Sequence, residues 1–148
     1  MQAAIKEAVK ARKSGDYAIG AVIVKNGKII AGSPNRIKIE QDPTQHAEIS
    51  VIRKATKVVG HRHLLRCVMY TTHEPCPMCS AAAVWAKLKC VVVGARITDM
   101  SNHRKYNGNK NWSWRTIHIY AKDIFELGDP KVEIVSDFMR DECRDLFH

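Results

Sequence analysis

No stretch of this chain stays apolar for the roughly 18 residues that a membrane helix needs, so no spanning helix is expected. No repeat, low-complexity tract or linker divides it, and 148 residues fit one domain, 1–148. No run of Lys and Arg reaches five, so the net charge of +9 is spread along the chain. Such a balance suits an anionic partner such as nucleic acid, and it equally serves solubility. The opening residues show no export signal. Met1 to Ser14 mixes Lys6, Glu7, Lys10, Arg12 and Lys13 among apolar residues, an amphipathic helix pattern. The 5 cysteines are odd in number, which argues against a disulfide framework and for a reducing cytoplasm. A second Cys-x-x-Cys is also lacking, which excludes a zinc ribbon built on Cys76 and Cys79.

What is present reads as alternating helices and strands. Ala3, Ala4, Ile5, Ala8 and Val9 recur at helical spacing over 2–14. Apolar runs 18–25 and 28–32 flank Asn26-Gly27, a hairpin signal. A polar loop covers 33–41. Asp42 as N-cap and Pro43 at the first helical position predict a helix over 43–58. Strand 68–72, helix 76–87 and strand 89–95 form a right-handed βαβ unit. Residues 96–116 carry no readable period. Gly128 stops a helix in the second half of 117–127, 131–135 reads as a strand, and 137–147 as a last helix. The pattern predicts a three-layer α/β/α sandwich around a mixed sheet of about five strands.

Two helix starts carry the chemistry: His46-Ala47-Glu48 and Pro75-Cys76-Pro77-Met78-Cys79. Free N–H groups and the positive dipole end at a helix N-terminus favour thiolate over thiol. Cys76 and Cys79 stand one turn apart, so both sulfurs can face one ion, with His46 as third ligand. Three protein ligands leave a fourth tetrahedral position open, the arrangement of a catalytic zinc. Glu48 would then be the carboxylate that moves protons without binding the metal. A redox pair would not need His-x-Glu at another helix start. His73 is the one nearby candidate for a fourth ligand, which would make the zinc structural; at the pocket rim it would leave that position open.

These two motifs resemble the zinc-dependent cytidine and deoxycytidylate deaminase superfamily. With Asp42-Pro43-Thr44 before the first and Glu74 opening the second, the chain is similar to the branch of guanine deaminases, fungal-type cytosine deaminases and bacterial tRNA adenosine deaminases. The resemblance runs from about residue 18 to 95 and more weakly to the end. It implies a hydrolase with one zinc, replacing a ring amino group with oxygen and releasing ammonia. It also implies a homodimer packed through the motif helices, where Ala81, Ala82 and Ala83 allow close approach; helix-on-sheet packing would favour the same alanines. An Asn before the His motif touches substrate in that branch, and Asn35 matches by position; otherwise Asn35 is a turn residue after Pro34. Ala47 and Glu74 fall at motif positions expected to border the substrate.

The C-terminal third bears on the substrate. Residues 98–109 depart from the small-residue Gly-Ala-x-Gly-Ser-like loop of the tRNA enzymes. Where guanine deaminases carry an acidic residue, the nearest residues are Asn107 and Asn109. Asn107 is therefore a candidate ring contact. Tyr106, Trp112, Trp114 or Phe147 could stack on a flat ring, with Trp112 the candidate chosen; the tryptophans could instead pack a core or interface. Trp85 reads as core. Arg104, Lys105, Lys110 and Arg115 either face solvent or meet RNA phosphates. The expectation is a small base or nucleoside with a cytosine-type or guanine-type amino group. The alternative is a tRNA adenosine deaminase making inosine. A non-catalytic, nucleic-acid-binding subunit of the same family would lack the Glu, and Glu48 is present.

Overall fold

The computed structural model describes residues 1–107 and 116–147, and among these the side chains of 103–107 lie outside the description. Five strands form one mixed sheet: β1 (Gly20–Lys25), β2 (Lys28–Pro34), β3 (Cys67–His73), β4 (Cys90–Ala95) and β5 (Glu133–Val135), in the order β2-β1-β3-β4-β5. β1 runs antiparallel to both β2 and β3, while β3, β4 and β5 are mutually parallel. The hairpin turns where Asn26 and Gly27 take φ values of 50° and 75°, as Asn-Gly permits.

Helices cover both faces. α1 (Gln2–Lys13) lies on β1 and β2, and α7 (Arg140–Arg144) lies on β4. The approach is close: a Cβ at Gly20 would collide with the backbone of Ala4 and Ala8, and one at Gly94 with Cys143. That is why α1 buries only alanines, Ala4, Ala8 and Ala11. On the other face, α3 (Ala47–Val59) packs on β1 and β2 and against α4 (Pro77–Trp85), and α6 (Ala121–Leu127) packs against α4. Between these layers Ile23, Met69, Val51, Leu64, Val91 and Val93 are fully buried. The parallel β3–α4–β4 unit sends the chain from one metal-motif helix back into the sheet.

Three sequence expectations change. The helix foreseen over 43–58 starts four residues later, at Ala47. Asp42 caps a turn instead: its Oδ1 accepts the Thr44 N–H and hydroxyl, each at 2.8 Å. The last helix is shorter than 137–147, because Asp137 and Met139 both adopt positive φ, 65° and 56°. It begins at Arg140 and tightens into a 3₁₀ turn over Asp145–Phe147. Trp85 is not core; it is 81% exposed at the end of α4. The stretch that had no readable period contains helix α5 (Ile97–Asn107) and a four-residue helix, α2 (Ile37–Glu40), lies in the loop before the His motif. Residues 108–115, including Lys110, Trp112, Trp114 and Arg115, lie outside the described residues.

Candidate metal centre and its pocket

His46 and Cys76 occupy the N-cap positions of α3 and α4, both in extended conformation, with ψ of 148° and 168°. The sequence sets this up: Pro77 follows Cys76 at the first helical position, and the Asp42 turn delivers His46 to its cap. The two helices contact each other, so their N-termini converge. Cys76 Sγ lies 3.6 Å from Cys79 Sγ and 3.7 Å from His46 Nδ1. All three ligand atoms fall within 4.8 Å of one another. A tetrahedral zinc with Zn–S bonds of about 2.3 Å sets its sulfurs roughly 3.8 Å apart, so this donor set fits the ion. His73 does not join the cluster. It is buried, burial pulls its pKa down to about 4, and its ring meets Phe147 edge-on at 6.0 Å.

The site favours a thiolate. The hydrogen bond between Cys76 and Cys79 holds the Cys76 pKa down to about 4, while that same bond and burial push Cys79 upward. Burial pulls on the His46 imidazolium, but the bond to Cys76 and the charge of Glu48 outweigh it, and its pKa rises. The His46 ring also hydrogen-bonds the Pro43 backbone, a contact of the kind that orients metal-binding histidines.

Glu48 is buried one residue into the same helix turn. Its Oε1 accepts the Thr71 hydroxyl at 3.2 Å, and its Oε2 lies 3.8 Å from Cys79 Sγ. Burial pushes its pKa up. Glu48, His46 and Cys76 line a cavity of about 650 Å³. Tyr17, Ile19, Asn35 and Ile37 line it too, as do Thr116 and Ile117, next in sequence to the residues outside the description.

The remaining site expectations divide. Asn35 lines the cavity, is fully buried, and gives its Nδ2–H to Asp16 Oδ1 at 2.8 Å. Its Oδ1 is the single buried side-chain oxygen without a hydrogen-bond partner among the described residues. Ala47 packs its methyl into the core and is not among the residues lining the cavity. Glu74 borders the cavity, yet both carboxylate oxygens are taken by backbone N–H groups, Ile97 at 3.1 Å and Ala121 at 3.1 Å. It therefore joins the starts of α5 and α6. Asn107 ends α5, with its side chain outside the description, and Trp112 lies outside the described residues altogether. Asp16 and Thr71 escaped the sequence reading. Gly15-Asp16 looks like a helix stop and Thr71 like any strand residue, and only the fold brings them to Asn35 and Glu48.

Residues 1–95 match the family described as the cytidine and deoxycytidylate deaminase zinc-binding region. A guanine deaminase of Bacillus subtilis is 50% identical over 93 residues, 63% of this chain and 58% of the relative's length. A tRNA-specific adenosine deaminase of the same organism is 36% identical over 143 residues, 97% of this chain and 81% of the relative. A solved structure from a study of A-to-I editing by tRNA:A34 deaminases superposes with a TM-score of 0.74 at 29% identity, covering 99% of this chain and 96% of that one.

Proposed function

The chain belongs to the cytidine and deoxycytidylate deaminase family, and on that premise we propose that its 148 residues form one catalytic domain that deaminates a free nucleobase or nucleoside with a cytosine-type or guanine-type amino group. It is a zinc-dependent deaminase by family. The observation that carries the small-substrate reading is the cavity itself. At about 650 Å³ it suits one flat ring with or without its sugar, and both Asn35 and Glu48 line it.

In this reading His46, Cys76 and Cys79 hold the zinc. When bound, the ion acts as a Lewis acid and makes water a nucleophile at neutral pH. The protein's own groups do the rest. Glu48 takes the proton of the attacking water at Oε2, the oxygen that Thr71 leaves free, and hands it to the ring nitrogen. It then carries the water's second proton to the amino group, which leaves as ammonia, and the ring keeps the water oxygen as a carbonyl. Asn35 Oδ1 accepts a hydrogen bond from the substrate and fixes the ring's orientation. The apolar wall of Tyr17, Ile19 and Ile37 covers a ring face and excludes bulk water.

A tRNA adenosine substrate is the second reading. The near full-length match to a tRNA-specific adenosine deaminase and the net charge of +9 both favour it. One panel separates the two: ammonia release from cytosine, cytidine, guanine, guanosine and adenine, run beside inosine formation in an anticodon stem-loop. Turnover of a small compound supports the first reading. Turnover of the stem-loop alone overturns it. The active form is a homodimer packed through α4, where exposed Trp85 stands beside half-buried Ala81 and Ala82; Ala83 is spent on the core.

A further inference from the structure

We infer that Asp16 is a positioning residue that makes Asn35 a hydrogen-bond acceptor, so that the site selects a ring presenting a donor at that point. The inference rests on the reading that Asn35 touches the substrate.

Asp16 is 3% exposed, although it sits in a loop between α1 and β1. Its carboxylate is surrounded by amide donors. Oδ1 accepts the Tyr17 N–H and the Asn35 side-chain amide, each at 2.8 Å. Oδ2 accepts the N–H groups of Lys38 and Ile39, at 2.8 and 3.2 Å. One buried carboxylate thus ties together three pieces of cavity wall: Tyr17, Asn35, and the α2 segment that carries Ile37.

The consequence is one of polarity. An amide has a donor end and an acceptor end, and a carboxylate can only accept. Facing Asp16, Asn35 must turn Nδ2 toward it, which commits Oδ1 to the opposite side. The Asn35 backbone cannot swing to reverse this, because its N–H is fixed to the Ile19 carbonyl at 2.9 Å. Oδ1 is fully buried without a partner among the described residues, so the fold leaves it for something that donates. A ring N–H, an exocyclic amino group or a sugar hydroxyl meets that need. A ring offering only a lone pair at that point leaves two acceptors facing each other and is rejected.

The test is a double-mutant cycle on the zinc-loaded enzyme. Ammonia release from guanine and from cytosine gives KM and kcat, and NMR follows exchange of the Asn35 side-chain amide protons. In D16N either end of Asn35 can face residue 16. KM should rise about tenfold or more with a smaller change in kcat, and the protected Asn35 amide protons should exchange freely. N35D sets two carboxylates against each other and should be worse. D16N/N35D restores a donor facing an acceptor and should recover part of the loss. A purely structural role for Asp16 makes the double variant at least as impaired as D16N. An unchanged KM in D16N, with the amide still protected, overturns the inference. N35A separates the two ideas: unchanged KM there removes Asn35 from the substrate and sinks the underlying reading, whereas raised KM in N35A beside normal D16N sinks the inference alone. Should D16N fail to fold, N35D against D16N/N35D poses the same question.

Discussion

Thr71, on the central strand β3, donates its hydroxyl to Glu48 Oε1 at 3.2 Å, while its own oxygen also lies 3.0 Å from the His73 carbonyl. One hydroxyl proton cannot serve both acceptors at once. Glu48 is thus held by a shared bond, and its second oxygen stays toward the metal site. Glu48→Gln keeps the shape and removes the base. It should retain zinc and lose roughly 10³-fold in turnover, within the range for general acid–base groups. Thr71→Val should cost less, about tenfold, because it loosens the carboxylate without removing it. Elemental analysis and steady-state rates check both, and near-normal turnover in Glu48→Gln contradicts the role.

Cys79→Ala removes one of three ligand atoms from a cluster spanning 4.8 Å. Zinc content of the purified variant should fall well below one per chain, with activity falling alongside. The wild-type melting temperature should drop on chelation, since an ion bound only by the folded state stabilises it. The variant's should not move. Full zinc occupancy in Cys79→Ala would remove that cysteine from the ligand set.

How much of this was legible depends on the range of the interaction. The helix start at Cys76 was readable because capping chemistry is local, and the hairpin at Asn26-Gly27 for the same reason. The start of α3 was misplaced because Asp42-Pro43 suits a turn as well as a helix. Helix α5 showed no apolar period, since Ile97 and Met100 are its buried apolar residues among the described side chains of a polar sequence. Its start is instead set from a distance by Glu74 and locally by Asp99, which accepts the Arg96 N–H at 2.8 Å. Asp16 meets Asn35 across 19 residues, a pairing that no local pattern encodes.

Glu74 joins the starts of α5 and α6 with one oxygen each. Glu74→Gln keeps one acceptor and turns a donor toward the other N–H. Destabilisation of about 1–3 kcal/mol is expected for the buried donor left unpaired. Denaturant titration reads it. A direct substrate contact predicts the opposite pattern, with KM raised and stability intact.

Asp99 accepts Arg140 at two points, 2.7 and 2.9 Å, and so ties α5 to α7. Burial alone would raise its pKa, but the Arg140 bonds and the Arg96 N–H prevail and hold it below the ordinary carboxylate value. The stabilisation is therefore fully present above the unfolded-state pKa of about 3.9 and is lost as pH falls through the lower folded-state value. Arg140 remains 35% exposed, so solvent screens the pair and about 1 kcal/mol is a fair size. Asp99→Asn should be less stable than wild type at pH 7, and the gap should close as pH drops below about 4. A gap independent of pH would mean that packing, not charge, is at stake.

Trp85 is 81% exposed at the end of α4, and Leu127 at the end of α6 is 88% exposed. The two helices pack together, with Gly128 lying against the Val84 methyls. Large apolar side chains left in water on adjoining helices make this surface the one to test for a partner. A second copy is the expected occupant, because half-buried Ala81 and Ala82 on α4 let a partner backbone come close. Trp85→Asp would place a charge in the centre of that contact. Loss of an aromatic anchor worth about 2 kcal/mol or more should weaken the dimer roughly 30-fold, read as a shift of the monomer–dimer midpoint to higher protein concentration. Sedimentation velocity on wild type and variant checks this. The variant should keep zinc and its melting profile at high protein concentration, since Trp85 contributes little to the monomer core. A wild type that sediments only as monomer would rule the dimer out, and an unchanged dimer in Trp85→Asp would move its interface away from α4.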